Sequence, residues 1–386
     1  MRTLIKDAHV YSGHESGFAG GVLIENGIIA KVLHDEEITS MNMHDMQVIS
    51  AEGKMLLPGM IDIHLHGSYG YDFIRTPQLS IDHVAKGLVQ EGTTAFLASL
   101  TVVSHEVLCD LLQEYATIQQ PKDSAAYLGV HSEGPYLSCA YKALMNEAYL
   151  RDPSMQEWEE MLEASKGWLK VMTIAPERLG AEVLIQGGHS IHFMIGHSAA
   201  SCEEAMHAIH KGAKGFTHLY NAMSPHSHRN PGCVTAALLA DEAYCELIVD
   251  GFHVHQEVVQ ATYKTIGAKR LVLITDAMLG KGMPDGDYVF SELDCHKQGN
   301  TVQVKATGRI AGSAITMLDA IKNMRRFTHC SIEEIVQMAC VNPSVIAQID
   351  PRKGSIKEGK DADLILLEDD LSLISTYVKG KEVYHC

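Results

Sequence analysis

The chain has 386 residues, 46% hydrophobic and 20% charged, a globular composition long enough for one large domain plus a small one. Its formal net charge of -17 argues against a general nucleic-acid or anionic-membrane surface, while leaving room for a locally positive site that takes a small anion. The nine Cys are scattered without a CxxC pair, the N-terminus lacks an apolar signal-peptide core, and no run approaches the roughly 18 to 20 apolar residues of a membrane span, so a cytoplasmic protein with reduced thiols is expected.

Residues 1 to 55 alternate in a strand-like way, with Asn26-Gly27 marking a tight hairpin between Val22-Leu23-Ile24 and Ile28-Ile29. The last residues, 352 to 386, have the same character and turn again at Lys379-Gly380-Lys381. Each end is too short to bury a core separately, which predicts that residues 1–55 and 352–386 pair into one small β-sandwich domain without chemistry. Between them, residues 56–351 alternate strand-like and helix-like runs. The strand candidates are Met60–Gly67, Thr93–Leu100, Ala126–Glu133, Leu169–Pro176, Ile191–Ser198, Gly215–Ala222, Cys245–Phe252 and Arg270–Ala277. Eight strands separated by helical patterns predict an α/β chain built on a (β/α)8 TIM-like barrel. An open doubly wound sheet fits less well, because no GxGxxG follows the first strand. After the eighth candidate comes a β-like excursion over 287–304, then helices around 313–327 and 332–339.

The polar residues fall on a pattern. His64 and His66 are two apart near the end of the first strand, so both side chains face one way. Glu133 ends the third candidate, His197 lies near the end of the fifth, His218 lies in the sixth, and Asp276 lies near the end of the eighth. In a barrel these ends converge on one mouth, where active sites sit. A single His among 22 is an ordinary polar residue, but six such residues at five strand ends point to a shared cation. Burying Glu133 and Asp276 unpaired would cost several kcal/mol each, and a metal ion would supply the missing charge.

These features resemble the amidohydrolase superfamily. Within it, the segments His131–Tyr136, Gly196–Ala199, Thr217–Met223, Val249–His253 and Ile274–Met278 are similar to the N-acetylglucosamine-6-phosphate deacetylase family. The resemblance implies that Glu133, His197 and His218 hold the principal divalent ion, Zn or Fe foremost, with Mn or Co as alternatives. It implies that His64 and His66, with Glu133 bridging, can hold a second ion, and that Asp276 is the catalytic acid and base. His253, Asn221, Ala222 and Arg229 are implied to bind the phosphorylated sugar, Arg229 from the neighbouring subunit of a homodimer. His226 and His228 add local positive charge beside Arg229, or form an ordinary solvated loop.

Two positions depart from the family pattern. Met145 stands where His or Gln usually donates a hydrogen bond to substrate, and Asn230 replaces Glu in the Arg229–Gly232 segment. The expected reaction is metal-dependent hydrolysis of the acetamide of N-acetyl-D-glucosamine 6-phosphate. The alternatives are deacetylation of the galactosamine isomer, a cyclic-amide hydrolase of the same fold, and a sugar-phosphate-binding protein without catalysis. The cyclic-amide type is disfavoured because the fourth strand ends Thr173-Ile174-Ala175-Pro176 and offers no bridging Lys.

Overall fold

A computed structural model describes residues 2–188, 190–290 and 293–386. Eight parallel strands form the barrel wall: β1 (Met60–Asp62), β2 (Thr93–Leu100), β3 (Ala126–Glu133), β4 (Leu169–Ile174), β5 (His192–Ile195), β6 (Gly215–Phe216), β7 (Tyr244–Ile248) and β8 (Leu271–Ile274). Each pairs with the next in sequence order, from β1 on β2 to β7 on β8. The wall closes just beyond the ladders, where Leu65 bridges Ala277 and the His66 amide donates to the Ala277 carbonyl at 2.7 Å.

Side-chain alternation explains why these runs are apolar throughout. On β2, Ala95 and Leu97 face the barrel interior with Ile61, Val171, Met194 and Val272. The intervening Phe96, Ala98 and Leu100 face outward into the larger core that the helices cover. Those helices begin where the sequence supplies a cap: Ser104, Ser154, Ser201 and Thr316 each accept a backbone N–H from the first turn.

A second, eight-stranded sheet joins both chain ends. Its order is Lys381–His385, Leu373–Val378, Leu364–Leu367, Met55–Pro58, Arg2–Val10, Phe18–Glu25 and Ile28–His34, with Gln47–Ser50 beside Arg2–Val10. The hairpin at Asn26-Gly27 has φ of 53° and 82°, the paired positive values that give a two-residue turn its twist, and Lys379-Gly380 repeats them at 48° and 71°. A single residue, Gly59, separates this sheet from β1; a Cβ there would lie 2.1 Å from the Thr94 side chain. The 287–304 excursion is part of a four-stranded antiparallel sheet, Gly286–Phe290, Leu293–Gln298, Thr301–Val304 and Ile310–Ser313.

Thr93–Leu100 and Ala126–Glu133 have the expected bounds, while the other six barrel strands stop short of their expected carboxyl ends. The ladders stop at Asp62, Ile195, Phe216 and Ile274, and His64, His197, His218 and Asp276 each lie two residues further on. His218 is therefore beyond the sixth strand, not within it. At His197, His218 and Asp276 φ is 47°, 30° and 48°, a left-handed backbone that cannot continue a strand.

Candidate metal centre and active site

The eight carboxyl ends open into a cavity of about 750 Å³. Its floor carries His66, Glu133, His197, His218 and Asp276, and its walls include Met145, Asn221, Ala222 and His253. His64 is fully buried just behind the floor. The structure thus brings together every residue expected at the metal and proton-transfer positions.

Glu133 is the hub. Its Oε1 lies 3.0 Å from His197 Nε2, 3.0 Å from His218 Nε2 and 3.6 Å from His64 Nε2, and its Oε2 lies 3.2 Å from His66 Nε2. Two groups of potential ligand atoms result, Glu133-His197-His218 and His64-His66-Glu133. Asp276 Oδ1 stands at 3.4 Å from His66 Nε2 and 3.7 Å from His64 Nε2.

Hydrogen bonds behind the rings fix which nitrogen faces the centre. His197 Nδ1–H donates to the Tyr141 carbonyl at 2.8 Å, His66 Nδ1–H to the Ser99 carbonyl at 3.1 Å, and His64 Nδ1–H to Glu246 Oε2 at 3.0 Å. The two carbonyl acceptors carry no hydrogen, so Nδ1 of His197 and of His66 must carry a proton, and Nε2 of all three rings faces inward, where its lone pair can meet a cation. The Nε2 atoms of His197 and His218 are only 3.1 Å apart, and buried His64 Nε2 and His218 Nδ1 have no hydrogen-bond partner. Lone pairs crowded around a carboxylate, with a nitrogen left unsatisfied, fit a divalent cation of the kind imidazole and carboxylate hold.

The electrostatics agree. Burial alone would depress the His64 imidazolium, yet the carboxylates of Asp276, Glu246 and Glu133 push its pKa up to about 10. Burial would raise Glu133, but His197, His218 and His66 outweigh it and hold the carboxyl well below its usual range. Protons here do the work that a metal's charge would otherwise do.

Several contributors were invisible in the sequence reading. Glu246 braces His64 and accepts the His218 amide at 3.2 Å; its signal was a Glu inside the otherwise apolar run Cys245–Val249. Glu177 holds the loop after His197, accepting from Ser198 Oγ at 2.8 Å and from the Ala199 amide at 2.6 Å. Asp250 accepts His253 Nδ1–H at 2.6 Å; burial lowers the His253 pKa, but this bond together with the charges of Asp250 and Asp276 raises it on balance. Below the ligands lies a buried polar layer, Ser99 to His131 to Thr173 to Thr217, linked at 3.1, 2.8 and 2.8 Å. Nothing local in the sequence marks that layer, because its members come from four separate chain segments.

The remaining expected residues divide. Asn221, Ala222 and His253 line the cavity. Arg229 is exposed on the 225–231 loop and does not line the cavity of its own chain, and His226 and His228 are exposed on the same loop. Met145 is on the cavity wall, where Thr101 Oγ1 donates to its sulfur at 2.8 Å. No described helix is long and apolar enough to cross a membrane.

Comparison with known proteins adds three kinds of likeness. Residues 55–383 match the model of the amidohydrolase family. N-acetylglucosamine-6-phosphate deacetylase of Bacillus subtilis (strain 168) is 33% identical over 383 residues, covering 98% of this chain and 96% of that one. N-acetylgalactosamine-6-phosphate deacetylase of Escherichia coli O157:H7 is 31% identical over 350 residues, covering 90% and 92%. A mutant N-acetyl-D-glucosamine-6-phosphate deacetylase of Mycobacterium smegmatis, solved in complex with N-acetyl-D-glucosamine-6-phosphate, matches with a TM-score of 0.90 at 29% identity over 99% of both chains.

Proposed function

The chain belongs to the amidohydrolase family and is a hydrolase, and we propose that it cleaves the acetamide of N-acetyl-D-glucosamine 6-phosphate, in amino-sugar catabolism. Water adds across the amide: a C–O bond forms, the C–N bond breaks, and acetate and glucosamine 6-phosphate leave. The observation that carries this reading is the convergence of His64, His66, His197 and His218 on Glu133, with Asp276 beside them on the floor of one cavity.

Glu133, His197 and His218 would hold one divalent ion, and His64 and His66, with Glu133, would hold a second; Zn or Fe is foremost, Mn or Co an alternative. When bound, such an ion supplies Lewis acidity that makes water nucleophilic near neutral pH and polarises the amide carbonyl. Asp276 does the proton work. Its carboxylate takes a proton from the attacking water and passes it to the amide nitrogen, which is a poor leaving group until protonated. Asp250 orients His253 so that its Nε2 is free for the sugar phosphate. Asn221 and Ala222 contribute the wall on which the sugar rests.

The protein works as a cytoplasmic homodimer in which Arg229 reaches the phosphate bound by the neighbouring subunit. Its exposure and its absence from its own cavity support that role. A second reading, the galactosamine isomer as substrate, is favoured by Met145, which offers no donor at a wall where a sugar hydroxyl would be read. The test is acetate and amine release from both hexosamine phosphates by the metal-loaded protein. Release from the glucosamine form, lost on chelation, is expected. No release from either, with bound metal measured, would sink the proposal.

A further inference from the structure

We infer that Arg309 binds the substrate's phosphate from within the same chain and sets the preference for phosphorylated over unphosphorylated amino sugars. The inference rests on the proposed substrate class and deepens it. The chain has 48 acidic and 31 basic residues, so a phosphate dianion is repelled at long range and needs cations at the site itself. The hydrolysed acetamide must reach Glu133 and Asp276 on the cavity floor. The sugar's C6 phosphate is carried across the ring from the C2 nitrogen, which directs it away from those carboxylates and up the walls.

Among the described residues, three wall side chains of this cavity can carry positive charge: Lys142, His253 and Arg309. Lys142 Nζ is paired with Glu147 at 2.7 Å, and His253 gives its Nδ1–H to Asp250 and keeps one nitrogen, Nε2, for the phosphate, so a dianion calls for a further cation. The Arg309 guanidinium has no carboxylate partner among the described residues, and it presents the fork of donors that suits phosphate.

Its position is tied to the chemistry. Arg309 directly precedes the strand Ile310–Ser313, whose Gly312 lines the same cavity. The Ser313 amide donates to the Asp276 carbonyl at 2.9 Å, and the Met278 amide donates to the Ser313 carbonyl at 3.0 Å. A rigid strand therefore sets the offset between the phosphate contact and the proton carrier. Arg309 also supplies donors to a cavity whose Met145 offers none.

The experiment compares kcat/KM for N-acetylglucosamine 6-phosphate with that for N-acetylglucosamine, and measures competitive inhibition by inorganic phosphate. In Arg309→Met the phosphorylated-to-unphosphorylated ratio is expected to fall roughly 10- to 100-fold, with a matching weakening of phosphate inhibition. Arg309→Lys should recover part of it, a point charge replacing the fork. Lys305→Met is the control: it removes a cation of the same sheet that pairs with Asp287 and lies outside the cavity, and it should leave the ratio unchanged. An Arg309→Met ratio equal to wild type, or an equal fall in Lys305→Met, overturns the inference while the proposed function stands. A wild type inactive on both hexosamine phosphates overturns the proposed function, and this inference with it.

Discussion

The two halves of the candidate metal centre share Glu133 but are built differently. In one half, Glu133 ends a regular strand and meets His197 and His218, which lie just beyond two other strands on left-handed backbone. Its contacts are short, 3.0 Å from Glu133 Oε1 to each Nε2. In the other half, one tripeptide supplies both imidazoles, and their contacts to Glu133 are longer, 3.6 and 3.2 Å. Counting the shared Glu133, three separate chain segments meet in the first half and two in the second. On the proposed function, an ion in the first half is expected to be harder to remove than one in the second.

The largest effect should come from breaking what the halves share. Glu133→Gln removes the common charge, and metal analysis should find both ions lost with kcat/KM down by more than about 10³-fold. A variant that keeps one full equivalent would mean the halves are independent. Asp276→Asn tests the residue that stands outside both: metal content should be retained, while turnover falls by about 10² to 10⁴. Near-normal turnover in that variant would end the proton-carrier role.

His64→Asn should separate the halves, lowering metal stoichiometry while a fraction of the activity, about a tenth to a hundredth, survives. Loss of every ion would instead make the tripeptide the anchor. The smallest effect is a pH slope. In the metal-free protein the His64 pKa is raised to about 10, so its proton is bound more tightly in the folded than in the unfolded chain. Its pairing with Asp276, Glu246 and Glu133 therefore stabilises the metal-free fold fully below pH ~6.5, and that contribution is lost as pH rises through about 10. A metal entering this half must displace the same proton. Its affinity, followed by equilibrium dialysis, should accordingly rise with pH between about 7 and 10, and the slope should flatten in His64→Asn.

Much of this site was legible because its ligands are charged or imidazole residues in apolar surroundings. His64, His66, Glu133, His197, His218 and Asp276 stand out from strands whose other residues are Ile, Val, Leu and Ala. The supporting residues were harder to see. Glu177 and Asp250 look like loop carboxylates, and Ser99, Thr173 and Thr217 look like ordinary strand residues. Apart from Asp250, whose partner His253 is three residues on, their roles depend on neighbours 21 to 44 positions away, as in the Thr173–Thr217 and Glu177–Ser198 bonds. Strand ends were overestimated for a related reason: apolar patterning records burial, not ladder pairing, and it continues through His197 and Asp276 after φ has turned positive.

By itself the sequence determined the alternation of strands and helices, the pairing of the two chain ends and the set of candidate ligands. Periodicity and residue chemistry are local and survive without coordinates. Only the tertiary structure decided that four imidazoles meet one carboxylate, which nitrogen of each faces inward, and that Arg229 leaves its own cavity while Arg309 enters it. Those outcomes depend on barrel closure at Leu65 and Ala277 and on backbone turns of a few residues, distances that no spacing along the chain encodes.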